Sequence, residues 1–329
     1  MNAAVKFAGF GVGLAAVFGI ALGIGALVGP TESDTGAGGH GEHGDDQAAT
    51  AADTLPGGLL VTDGGYTLDL ENPLMRPDAE ATLRLRVLDE RGEPLTRYTT
   101  SHDKDLHLIL VRRDLTGFQH VHPTLGRDGA WTVPVDLARA GAYRVFADFV
   151  PEGGQNLTLG ADLLVAGTSD PKPLPPPATT ATVGEYTVTL DGTVTAGAAT
   201  TVTLSVARDG QPVTGLEPYL GAYGHLVALR AADLAYLHVH PEGHPGDGET
   251  PAGPGITFTV TAPSPGDYRL YLDFKHRGEV RTAEFTVSVP YPDQPGPAGE
   301  TGAPATPSAG TPGATPSGTP DGGHGGHGH

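Results

Sequence analysis

Cysteine is absent from this 329-residue chain, methionine occurs twice and tryptophan once. Without a thiolate there is no disulfide staple, no thiolate zinc site, no iron–sulfur cluster, no cysteine nucleophile and no blue-copper centre of the ordinary kind. Positive charge is scarce as well, since 19 Lys and Arg stand against 38 Asp and Glu for a formal net charge of −19. That balance argues against nucleic acid and anionic lipid headgroups as partners, because both need clustered positive charge. No nucleophile motif, nucleotide loop or paired-carboxylate arrangement is present, so the chain reads as a non-enzyme. What it has instead is 50 glycines, 30 prolines and 14 histidines. Glycine and proline at that level confine the ordered core to part of the chain, and the histidines are clustered.

One apolar run is long. Phe7–Val28 carries no charge over 22 residues, enough helix to cross the ~30 Å hydrocarbon core of a bilayer. It ends in Ala26-Leu27-Val28-Gly29-Pro30, a poor cleavage site. Residues 1–29 are therefore expected to form an uncleaved single-pass anchor. Lys6 ahead of the run places the N-terminus in the cytoplasm and the rest outside. A cleaved signal peptide, with secretion, is the rival reading. Residues 30–56 are expected to be a disordered tether and 291–329 a disordered Pro/Gly/His tail. The tracts around His40 and His43, and His324, His327 and His329 at the C-terminus, resemble metal-scavenging tails.

Two segments of similar size, 57–168 and 183–290, flank a proline-rich linker at 169–182. They are repeats. Tyr66-Thr-Leu-Asp-Leu70 matches Tyr186-Thr-Val-Thr-Leu190, and His107, His120 and His122 fall on His225, His238 and His240 at a constant offset of 118 residues. Further on, Tyr143–Phe149 falls on Tyr268–Phe274 at an offset of 125, which places an insertion between Glu242 and Gly255. Short runs rich in Val, Leu, Thr and Tyr, separated by Gly, Pro and Asp, predict strands near 66–70, 81–90, 105–112, 117–122, 130–136, 142–150 and 157–166 of the first repeat. The expected fold is all-β, two tandem immunoglobulin-like β-sandwiches behind the membrane helix, with a small barrel as the alternative.

Strand alternation puts His120 and His122 on one face, with Val121 on the other. A turn at Asp114 to Gly117 would fold the His107 strand back against them. Three neutral imidazoles from adjacent strands suit Cu(II) or Zn(II) and leave a coordination position open, so one site per repeat is expected: His107, His120 and His122, then His225, His238 and His240. Asp148 and Asp273 are candidates as a further ligand or as the carboxylate that orients an imidazole. The competing readings are packed histidines and, for the aspartates, a solvated strand face shared with Arg144 and Arg269. Because ligation needs neutral imidazole, affinity is expected to fall as pH drops through the ordinary histidine range near ~6.5.

The tandem pattern, Asp105-Leu-His107-Leu then His120-Val-His122-Pro, and Gly224-His225-Leu then Leu237-His-Val-His240-Pro, resembles an uncharacterised family of exported or membrane-anchored bacterial tandem β-sandwich proteins. That family is loosely similar to copper-handling proteins of the CopC and YtkA kinds. The resemblance implies metal capture or delivery outside the cytoplasm, with a membrane metal transporter as partner. Scarcity of methionine departs from methionine-rich copper chaperones and puts Cu(I) thioether ligation in doubt. The alternative is a structural or adhesive pair of sandwiches whose histidines are packing residues.

Overall fold

Strands form where apolar side chains recur at every second position. Ala81–Leu88 and Tyr186–Asp191 each bury one face and leave the other partly or fully exposed. The computed structural model describes residues 55–291 apart from His238, and of His240 only the backbone. The expected anchor and nearly all of the tether and tail lie outside the described residues. Among the described residues, no helix is long and apolar enough to cross a membrane.

The first repeat comprises β1 (Thr62–Asp63), β2 (Tyr66–Leu70), β3 (Leu74–Met75), β4 (Ala81–Leu88), β5 (Leu106–Arg112), β6 (Gln119–Val121), β7 (Thr124–Leu125), β8 (Trp131–Val135), β9 (Gly141–Phe149) and β10 (Leu157–Val165). The second comprises β11 (Thr180–Val183), β12 (Tyr186–Asp191), β13 (Ala199–Arg208), β14 (Gln211–Pro212), β15 (Gly224–Arg230), β16 (Tyr236–Leu237), β17 (His240–Pro241), β18 (Gly255–Thr261), β19 (Gly266–His276) and β20 (Glu279–Val289). The strand orders are β1-β2-β4-β8-β7 and β3-β10-β9-β5-β6 in the first repeat. In the second they are β11-β12-β13-β18-β17, with β14 beside β13, and β16-β15-β19-β20. Each repeat is thus a pair of sheets, antiparallel except where β3 joins β10. Leu83, Leu85, Leu108 and Val145 lie between the first pair, and Val202, Leu204, Phe258 and Leu272 between the second. The Tyr143 hydroxyl donates to Arg139 O at 2.7 Å and that of Tyr268 to Ser264 O at 2.7 Å. The same tyrosine tether thus closes one corner of each sandwich. The loop before β18 runs 242–254 and the loop before β8 only 126–130, which locates the insertion.

Both repeats belong to one compact unit. A third apolar core explains why: Ile109, Val111, Leu115 and Phe146 of the first repeat pack against Val227, Leu229, Leu234, Tyr236 and Tyr271 of the second. Leu174 of the linker packs on its margin, so the linker lies along the junction. β5 is consequently buried at all seven positions. Leu106, Leu108 and Leu110 face their own sandwich, whereas Ile109 and Val111 face the other repeat. A strand covered on both sides carries an unbroken apolar run in place of alternation. Phe118 stacks on Tyr271 with ring centroids 4.0 Å apart, and the Tyr271 hydroxyl donates to Leu115 O at 2.7 Å. Tyr271→Ala should therefore cost about 3–5 kcal/mol in urea denaturation, the range for removing a fully buried aromatic ring. An unchanged unfolding midpoint would contradict the docking of the two outer faces.

Candidate metal centre

The outer face that docks the repeats ends in histidine. Ile109 pairs opposite His120 and Leu108 opposite Val121, so the register continues toward His107 and His122. On the other side of β5, His107 pairs opposite Asp148. His225 pairs opposite Asp273 in the second repeat. Residues opposite one another across antiparallel strands share a face. Imidazoles and carboxylates therefore occupy the same outer faces as the apolar residues of the junction.

A tight turn recurs ahead of each inner histidine. Ser101 bridges Lys104 and Tyr219 bridges Ala222. Both central residues of each turn have positive φ: 50° and 61° at His102 and Asp103, 54° and 76° at Leu220 and Gly221. This is the left-handed geometry of a two-residue hairpin loop. The turn aims a carbonyl at the imidazole six residues on. His107 Nε2 lies 3.1 Å from Ser101 O, and His225 Nε2 lies 3.0 Å from Tyr219 O and 3.1 Å from Leu220 O. A carbonyl only accepts, so each ring carries its proton on Nε2 and presents a bare Nδ1.

His120 is fixed the other way round. Its Nδ1 donates to Asp273 Oδ2 at 2.8 Å, with the two side chains 5% and 4% exposed, leaving Nε2 bare. That nitrogen is 3.1 Å from His107 Nδ1. Two lone pairs at this separation repel unless a cation lies between them, either a proton or a metal ion. On a tetrahedral ion with metal–nitrogen bonds near 2.0–2.1 Å, ligand nitrogens sit about 3.3 Å apart, close to this spacing. His122 completes the group, with its ring centroid 5.1 Å from that of His107 and 4.9 Å from that of His120. Its Nε2 is buried and has no hydrogen-bond partner among the described residues. One ligand nitrogen from each of the three lies within 4.8 Å of the others, so an ion would require at most about 1.5 Å of closure.

Burial pushes His107 down to about 4, against a raising bond to Ser101 O, and the charge of His120 pushes it further. His122 is lowered to about 3 by burial and then by His120 and His107. His225 is lowered to about 4 by burial, then by His120 and His102. All three are neutral at physiological pH, the form that ligates.

Asp148 and Asp273 are 8% and 3% exposed, which corrects the reading of a solvated strand face. Asp148 Oδ1 accepts from Asn156 Nδ2 and Thr158 Oγ1, both at 3.0 Å, and Asp273 Oδ1 accepts from Thr282 Oγ1 at 2.6 Å. Arg144 instead donates to Gly58 O, Leu59 O and Asp162, and Arg269 to Thr286 and Glu284.

The described site residues of both repeats meet at one place. The His225 ring lies 6.4 Å from that of His107 and 6.3 Å from that of His120, and Asp273 reaches across to His120. His238 lies outside the described residues, and His240 is placed only by its backbone pairing with Thr259. His102, whose ring is 5.3 Å from that of His225, carries no signal in the repeat comparison because Leu220 stands at its counterpart. His276 is held by the Tyr186 hydroxyl at 2.8 Å.

Among solved structures, the chain is similar to the Escherichia coli adhesin FdeC, at 17% identity and TM-score 0.24 over 70% of this chain and 65% of that one. It is also similar to the Yersinia pseudotuberculosis adhesin InvE, at 15% identity and TM-score 0.21 over 68% of this chain and 59% of that one. The chain spans less than two thirds of the length of either. The sandwich architecture itself rests on the strand pairings. No curated protein matches the chain. A family model for a domain of unknown function, DUF8832, matches residues 61–166 and again 181–290, and the chain belongs to that family, with one copy in each repeat.

Proposed function

We propose that this is a membrane-anchored, extracytoplasmic metal-binding protein that captures or delivers Cu(II) or Zn(II) at the junction of its two repeats. One observation carries the reading: His107 Nδ1 and His120 Nε2 oppose each other at 3.1 Å while their other nitrogens are committed to Ser101 O and Asp273. The buried Nε2 of His122 stands beside them without a partner among the described residues. Three imidazoles, two of them with outer nitrogens held by a carbonyl and a carboxylate, make a donor set for a borderline metal, with a position open for exchange. The apolar run Phe7–Val28 supports attachment to the membrane, and the terminal histidine tracts supply weak ligands for passing ions inward. A metal transporter in the same membrane is the partner this arrangement suits.

The test is a Zn(II) and Cu(II) titration of the full chain with His40, His43, His324, His327 and His329 replaced by alanine. Saturable binding tighter than micromolar that is lost in His122→Ala is expected. Binding no tighter than that, or unchanged by His122→Ala, would contradict the proposal.

The apolar junction and the Phe118–Tyr271 stack favour a second reading, a non-catalytic structural or interaction protein of two rigidly docked sandwiches. There the cation between His107 and His120 is a proton, and the titration shows no saturable binding.

A further inference from the structure

A short segment ahead of β1 joins the two repeats through backbone alone. Gly58 N donates to Thr158 O at 2.7 Å and Gly160 N to Leu60 O at 2.8 Å, so residues 57–60 pair along the stretch of β10 that β3 leaves uncovered. Gly57 O then accepts from Tyr236 N at 2.8 Å, in β16 of the second repeat. One segment is thus bonded to a sheet of each sandwich. These are the two sheets whose outer faces pack together at the junction.

The seat for this segment is built into the first repeat only. Arg144 Nη2 donates to Gly58 O at 2.7 Å and to Leu59 O at 2.9 Å. Gly160 lies beneath, where a Cβ would collide with Gly58 O. Gly160 stands opposite Phe146 on β9, and its counterpart opposite Tyr271 on β19 is Glu284. There the equivalent arginine, Arg269, is satisfied within its own sheet by Glu284 at 2.6 Å and Thr286 at 3.0 Å. Glycine at 160 replaces that carboxylate with a slot, in which the same guanidinium grips backbone carbonyls. Gly58, at φ 74°, turns the segment against Phe146 and Tyr236, a conformation that glycine adopts without strain.

We infer that residues 57–60 are a releasable clasp: seated, they lock the two repeats together, and unseated, they let the junction open. Asp273 meets His120 across the same junction, so the clasp also sets whether that carboxylate reaches the imidazole. Tyr236, which the clasp holds, lines the cavity beside His107, His120 and His225. The device acts with or without a bound ion and does not depend on the proposed function.

The metal-free full chain is the sample, so the result is independent of metal binding. Gly160→Ala fills the slot at a position whose backbone accepts alanine, and Arg144→Met removes the grip while leaving residue 160 as glycine. Hydrogen exchange reads the seat: the amides of Gly58 and Tyr236 should exchange about tenfold faster or more in each variant, while those within β4 and β13 keep their protection. The absence of cysteine makes labelling simple, and spin labels on Arg91→Cys and Gln211→Cys, both at exposed positions, read the junction. A single narrow distance is expected in the parent and a broad or longer distribution in the variants. Unchanged exchange at Tyr236 in both variants would overturn the inference. Faster exchange there with the parent's narrow distance retained would overturn it as well, because the segment would then not be what holds the repeats together.

Discussion

Asp273→Asn is expected to weaken metal binding by about 10- to 100-fold, the usual cost of removing a carboxylate that supports a ligating histidine. The substitution keeps the side-chain volume, so the sandwich should fold. What it removes is the negative charge 2.8 Å from His120 Nδ1, which holds the proton there and keeps Nε2 bare toward His107. The amide makes a weaker acceptor and can turn its NH₂ toward the ring, which favours the opposite tautomer. Competition against a chelator of known affinity measures the effect. Because Asp273 belongs to the second repeat and His120 to the first, an unchanged affinity would show that the cross-repeat contact plays no part in binding.

Acidification is expected to destabilise the metal-free protein well before its carboxylates titrate. His107 and His225 are held down to about 4 in the folded chain, whereas histidine in an unfolded chain titrates near 6.5. Between these values the unfolded state binds more protons than the folded one. Stability is therefore complete above about pH 6.5 and is lost as pH falls toward about 4, at a cost of about 3 kcal/mol for His225 alone. Urea midpoints measured across that window would show the slope, and a flat profile would contradict burial of neutral imidazole. The same shifts bear on where proton competition for the metal would set in. His107 and His122 are already neutral well below pH 6.5, so the proton competition they contribute begins only toward about 4 and 3. The loss of affinity that these two ligands contribute is therefore expected only near and below those values.

Much of the fold was legible because β-structure writes its period into the sequence. The expected strands at 66–70, 142–150 and 157–166 fall on β2, β9 and β10 within a residue at either end. In the first repeat, among the described residues, only the two-residue strands β1, β3 and β7 had no such signal, being too short to show a period. The pairing of the His107 strand with the His-x-His strand was legible too, because a turn near Asp114 fixes which residues can meet. Docking of the repeats was not read, although Leu106–Val111 announces it by failing to alternate. That run directed attention to the burial of His107 when it equally required a second covering surface. His102 and the bond from His120 to Asp273 were out of reach for a different reason. Comparison at a constant offset finds what each repeat shares with the other, whereas these groups matter through contacts made between repeats.

The most direct measurement of the central claim is the Cu(II) electron paramagnetic resonance spectrum of the chain with its five tail histidines replaced, loaded with one equivalent of copper. Imidazole nitrogen couplings that weaken on His122→Ala, and again on His120→Ala, would place the ion on the three histidines. A spectrum identical in both variants, or one indistinguishable from copper on an unfolded peptide, would contradict it.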